Sequence, residues 1–142
     1  MIGQPGDSTP ASSPVLSYFA WWDCPRGGIV TIDGRVHYFA SEFSEVLDDY
    51  APTFRLWPVP DEALEPELES WAAWVAWRSS FDRGEHPAPY DQEDRLRALS
   101  SFRRPPEDSL LAMPEWEMDP DRSYAVRPPN HRVRWTILTA NA

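Results

Sequence analysis

The stretch GIVTIDGRVHYF, Gly28 to Phe39, sets two β-rich runs on either side of Asp33-Gly34. Asp-Gly is the pair best suited to a two-residue type I′ turn, because both central residues of that turn need positive φ. With this loop, Ile32 faces Arg35, Thr31 faces Val36, Val30 faces His37 and Ile29 faces Tyr38. Side chains alternate along a strand, so one face of the hairpin carries Ile29, Thr31, Val36 and Tyr38. The other carries Val30, Ile32, Arg35, His37 and Phe39. The first face reads as core. The second mixes apolar area with cationic groups and reads as the face that meets a partner or substrate.

Upstream, VLSYFAWWD (15–23) is a β-leaning aromatic run that ends at the turn signal CPRGG (24–28). Downstream, SEFSEVLDDYAP (41–52) has Ser41 in an N-cap position and Phe43, Val46, Leu47 and Tyr50 at helical spacing, which predicts a short helix. FRLWPV (54–59) reads as a strand ended by Pro58. A long helix follows over 60–84, capped by Asp61, with Pro66 delaying its regular part and Gly84 closing it in a left-handed conformation. Leu64, Leu68, Trp71, Trp74, Val75, Trp77 and Phe81 form its apolar band, wider than one packing neighbour requires, and Arg78 lies inside that band.

A second helix, QEDRLRALSSF, begins after Asp91 as its cap. Residues 103–121 are proline-broken and acidic and read as a long surface loop. Residues 123–138 read as a closing hairpin, whose last strand turns Val133, Trp135 and Ile137 inward and Arg132, Arg134 and Thr136 outward. This order of elements predicts an α+β fold: a small antiparallel sheet packed on one face by the Trp-rich helix and a second, shorter helix. Residues 1–14 are rich in Ser, Pro and Gly and read as a disordered tail, which leaves 15–142 as a single domain.

The chain has 142 residues, eight Trp, sixteen Pro and a net charge of −10, and its thirteen basic residues are all Arg. So acidic a surface disfavours nucleic acid and anionic membranes; it would attract a basic protein partner, and it is equally the composition of a chain kept in solution by its charge alone. A single cysteine, Cys24, rules out an internal disulfide. The first residues lack the basic start and apolar core of a secretory signal, and no apolar run reaches the length that spans a bilayer, so a reduced cytoplasm is the expected compartment.

Candidate chemistry is sparse. Cys24 as a thiol nucleophile needs a base, for which His37 is the candidate, oriented by Asp23 or Asp49. A lone cysteine without a surrounding signature reads as an inert core residue instead. His37, His86 and His131 are isolated rather than paired at metal-ligand spacing, so neither a metal nor a cofactor is expected. The carboxylates of an acidic chain are no evidence of acid–base work, and Arg26 to Gly28 is too short for a phosphate loop. Arg127, His131, Arg132 and Arg134 beside Trp135 have the composition of a single-strand nucleic-acid surface, or of a solvated strand face that balances acidic loops. The series Trp71, Trp74 and Trp77 reads as core, with Trp77 at its exposed margin.

Taken together, WWDCPRGGIVTIDGRVHYF, DDYAPTFRLWPV, the paired tryptophans of the helix and HPAP before the second helix resemble a family of small bacterial proteins of unknown function. The resemblance spans roughly Trp21 to Leu99. The matching positions are Asp23, Pro25, Arg26, Gly28, Gly34 and His37, then Asp49, Tyr50, Phe54, Leu56 and Pro58, then Trp71, Trp74, His86 and Pro87. Cys24 departs from the pattern. The resemblance implies a fold unit and no reaction.

Two classes of function follow. The first is a non-catalytic interaction module for a basic protein, with Arg26, Arg35 and His37 as polar anchors and Trp77 as an apolar one; an immunity- or antitoxin-like role fits its size and charge. The second is a small hydrolase or transferase in which Arg26 holds an anionic group, His37 moves a proton and Asp23 orients it, which requires the three to converge. A third, single-stranded nucleic-acid binding at the Arg-rich carboxyl end, stands behind both.

Overall fold

A computed structural model describes residues 12–21, 24–86, 88, 92–117 and 131–139. The expected tail therefore lies mostly outside the described residues, as do Asp23, Asp91 and Arg127. The strands are β1 (Ser13–Trp21), β2 (Pro25–Ile32), β3 (Arg35–Ser44), β4 (Asp49–Pro58), β5 (Leu110–Glu117) and β6 (Arg132–Thr139). Helices α1 (Asp61–Asp82) and α2 (Glu93–Leu99) are inserted between β4 and β5.

The hairpin at Asp33-Gly34 forms in the expected register, with Ile32 opposite Arg35 and Val30 opposite His37. Both turn residues have positive φ, 51° and 79°. The architecture around it corrects the sequence expectation. The strands do not make a sheet covered on one face; they close into an antiparallel barrel in the order β1-β2-β3-β4-β5-β6. The seam is short: Ser13 pairs with Val133 and Pro14 with Arg132, and the Val15 N–H donates to the His131 carbonyl at 3.1 Å. Register shifts in β1 after Val15, Tyr18 and Ala20 supply curvature that closure needs.

The physical reason for the correction is that both faces of the β2–β3 ribbon are oily enough to bury. The face read as mixed points into the barrel, where Val30 and Phe39 are fully buried with Val15, Phe54, Leu56, Ala112, Val133 and Trp135. Four rings fill the space: Phe39, Phe54, Trp116 and Trp135 each contact the other three, at centroid separations of 5.5 to 6.1 Å. The face read as core lies on the outside of the wall. There Ile29, Tyr38 and Trp57 form a second buried cluster with Leu16, Phe19, Val36 and Phe102. At Gly28 a Cβ would run into the Ser17 carbonyl of β1 and the Phe39 ring, so only glycine lets β1 and β2 approach this closely.

Three further expectations change. The acidic loop contains β5, which pairs with β6 from Leu111 to Glu117 but with β4 only from Leu110 to Ala112. Pro114 is tolerated because one flank of the strand is already unpaired there. The expected hairpin partner of the last strand, around 123–127, lies outside the described residues; β6 pairs with β5 and β1. Val133 and Trp135 do face inward, whereas Ile137 is 41 % exposed. The stretch 41–52 is not a helix but the tip of the β3–β4 hairpin, where Phe43 pairs with Tyr50 and Ser44 with Asp49.

Helix α1 ends as expected: Gly84 has φ 79° and its N–H donates to the Phe81 carbonyl at 3.1 Å. It begins earlier than Pro66, with Pro60 as N-cap and Asp61 and Glu62 in the first turn, where the helix dipole favours acids. Its buried positions are Ala63, Glu67 and Ser70, not the tryptophan band. Tyr38 Oη donates to Glu67 Oε2 at 2.8 Å, and Arg103 closes a two-bond ion pair on the same carboxylate at 2.9 and 2.6 Å. The Arg103 guanidinium also lies 4.3 Å over the Phe19 ring, and Trp57 Nε1–H donates to the Phe102 carbonyl at 3.0 Å. The helix is thus fixed to the outer wall through a buried charge that is fully engaged. Trp71 meets Tyr18 edge-on at 5.1 Å and stacks on Trp74 at 5.4 Å. Among the described residues no helix is long and apolar enough to cross a membrane.

Candidate interaction surface

The β3–β4 tip carries the two most exposed large apolar side chains among the described residues. Val46 is 94 % exposed, Leu47 63 % and Phe43 53 %. Its backbone is nevertheless held. The Leu47 N–H donates to Ser44 Oγ at 3.2 Å, the Tyr50 N–H to Asp49 Oδ1 at 2.7 Å, and Asp48 takes the left-handed conformation at φ 54°. Asp tolerates that conformation because its short side chain can bond locally.

The aromatic part of the tip is braced from the neighbouring strand. Phe43 meets Tyr50 edge-on at 5.4 Å, and the Arg26 guanidinium sits 4.9 Å over the Tyr50 ring. Around the apolar residues lie Glu42, Glu45, Asp48 and Asp49, all exposed. Among the described residues none of these four carboxylates makes an ion pair. The surface is therefore an ordered apolar point set among exposed carboxylates, with Arg26 behind it on the Tyr50 ring.

The residues singled out from the sequence are dispersed. Arg26 stands at the start of β2 and serves as the brace just described. His37 pairs with Val30, four residues further along β2, so the two backbones are separated by about 13 Å at strand spacing. The His37 Nδ1–H donates to the Arg35 carbonyl at 3.1 Å, and the Arg35 side chain is exposed. The convergence that a hydrolase or transferase requires is not met between Arg26 and His37. Cys24 is half-buried and lies beyond Arg26 from His37, so the thiol–imidazole pair is not formed either. Trp77 is half-buried, stacked on Phe81 at 5.6 Å, with its Nε1–H donated to the Ala88 carbonyl at 2.7 Å.

At the carboxyl end His131 is buried beside the Tyr18 ring, and Arg134 pairs with Glu115 at 2.8 Å and Glu117 at 3.8 Å. Arg132 bonds to the Ser12 hydroxyl and carbonyl at 2.9 and 2.7 Å. This strand face balances the acids of β5. Among the described residues no group of three or more His, Cys, Asp or Glu side chains is placed to hold a metal ion.

Phe43, Val46 and Leu47 were legible only as one face of a helix. The signal against that reading is Asp48-Asp49, a turn-forming pair directly before a β-rich run. Compared with known proteins, the chain matches no family model, no curated protein and no solved structure.

Proposed function

We propose that this chain is a non-catalytic protein-interaction module that docks on a basic partner through the β3–β4 tip. The single observation that carries the reading is Val46 at 94 % exposure on a turn whose backbone is hydrogen-bonded in place. Holding an aliphatic side chain in water on an ordered turn brings the fold no burial, while an ordered apolar point lowers the entropic cost of entering a partner's pocket. Glu42, Glu45, Asp48 and Asp49 select a pocket rimmed by Arg or Lys and speed the encounter. Arg26 acts here through Tyr50, as a support for the tip rather than as a direct anchor.

The test compares immobilised wild-type protein with Val46→Asp and Leu47→Asp variants for capture of basic proteins from source cells. The reading expects retention at low salt that is lost at high salt and lost in both variants. Equal capture by wild type and tip variants overturns it.

A further inference from the structure

Helix α1 presents a second surface, unrelated to the tip. Leu64, Leu68 and Ala72 follow one another at four-residue spacing, and Asp61, Glu65 and Glu69 form the adjacent row. These six residues line a shallow, open groove that runs between the two rows. Leu68 is 38 % exposed, and Ala72 is exposed as well. The helix buries a different row, Ala63 and Glu67; on this face Leu64 is half-buried, while Leu68 and Ala72 lie open.

The acidic row is not explained by the helix itself. The dipole favours acids in the first turn, which covers Asp61, but its effect has faded by Glu69. Carboxylates four residues apart repel each other on an isolated helix. Arg95 stands 3.9 Å from Glu69, while among the described residues Asp61 and Glu65 have no cationic partner.

We infer that this groove receives an amphipathic helix of a partner protein, with leucine-like side chains along one stripe and Arg or Lys beside it. Two helices pack by laying the four-residue ridge of one into the groove between such ridges of the other, at a crossing of about −50°. Here one wall of the groove is apolar and the other acidic, so an entering ridge is read for both properties at once. Ala72 lets the partner backbone come close, as small residues do at helix crossings.

The inference concerns a site separate from the β3–β4 tip, and its test separates the two. The probe is a synthetic helical peptide with leucines at four-residue spacing flanked by arginines; a control peptide carries glutamates in place of the arginines. Each is titrated calorimetrically into the full chain. The arginine peptide binds wild type and the glutamate peptide does not. Leu68→Asn weakens the arginine peptide by about tenfold, the loss expected for one apolar side chain. The double variant Glu65→Arg/Glu69→Arg, exposed at both positions, loses the arginine peptide and gains the glutamate peptide. Val46→Asp leaves binding unchanged. Failure of the arginine peptide to bind wild type, equal binding by the charge-reversed variant, or loss of binding in Val46→Asp overturns the assignment.

Discussion

The two sides of the barrel wall bury their residues by different means. Inside, Phe39, Phe54, Trp116 and Trp135 interlock as rings, and stability comes from apolar area and close fit. Outside, Ile29, Tyr38 and Trp57 pack with Leu16, Phe19 and Phe102, and α1 reaches the cluster through a carboxylate, Glu67, bonded to Tyr38. That carboxylate is tolerable only because Tyr38 and Arg103 satisfy it. The inner face needs volume; the outer face needs partners. A strand whose two faces are both buried must satisfy both demands with alternate residues, as Tyr38 and Phe39 do.

The contrast can be broken or sharpened by substitution. Phe39→Ala removes one ring of the interior tetrad and is expected to cost about 3–5 kcal/mol in denaturant unfolding. Arg103→Ala leaves Glu67 buried without its cation and is expected to cost about 3 kcal/mol. A loss well below about 1 kcal/mol would mean that the outer contact is only a cover and not a bonded joint. Tyr38→Phe keeps the ring and removes one bond to the charge, for an expected loss of about 1.5 kcal/mol.

The same phenol gives an alkaline limb. Burial first, and then the bond to and negative charge of Glu67, push the Tyr38 phenol well above its ordinary value. Its stabilising effect is present in full below about pH 10, where the unfolded phenol titrates. It declines as pH rises beyond that value, because the unfolded chain gives up this proton first. Stability measured by urea unfolding should therefore fall above about pH 10, and Tyr38→Phe should flatten that fall. If the wild-type and Tyr38→Phe profiles run parallel, the phenol does not titrate with unfolding. The smallest expected effect lies at the tip, where Val46→Asp should change stability by no more than about 0.5 kcal/mol. A larger loss would make the tip part of the fold's own packing.

The elements legible in the sequence are those whose controlling information is local. Asp33-Gly34 defines its own turn through the positive φ that both residues tolerate, and the register of β2 and β3 follows by counting. The inward alternation of Val133 and Trp135 and the stop at Gly84 are local in the same sense. The tip shows where locality misleads. Phe43, Val46, Leu47 and Tyr50 fit a helix by spacing, yet cross-strand pairing of Phe43 with Tyr50 prevails. Glu67 was illegible as a buried residue, because its partners come from β3 and from Arg103, 29 and 36 residues away.

What the sequence by itself determined is therefore the two-residue reversal, the alternation of the strands around it and the end of the long helix. Tertiary structure decided that the ribbon closes on itself, that its mixed face becomes the interior, and that an acidic stretch serves as the fifth strand. The reason is physical: a turn is selected by the φ and ψ preferences of two residues, whereas closure depends on Ser13 meeting Val133 across most of the chain. In the closed barrel, four large rings from β3, β4, β5 and β6 share the space that closure creates.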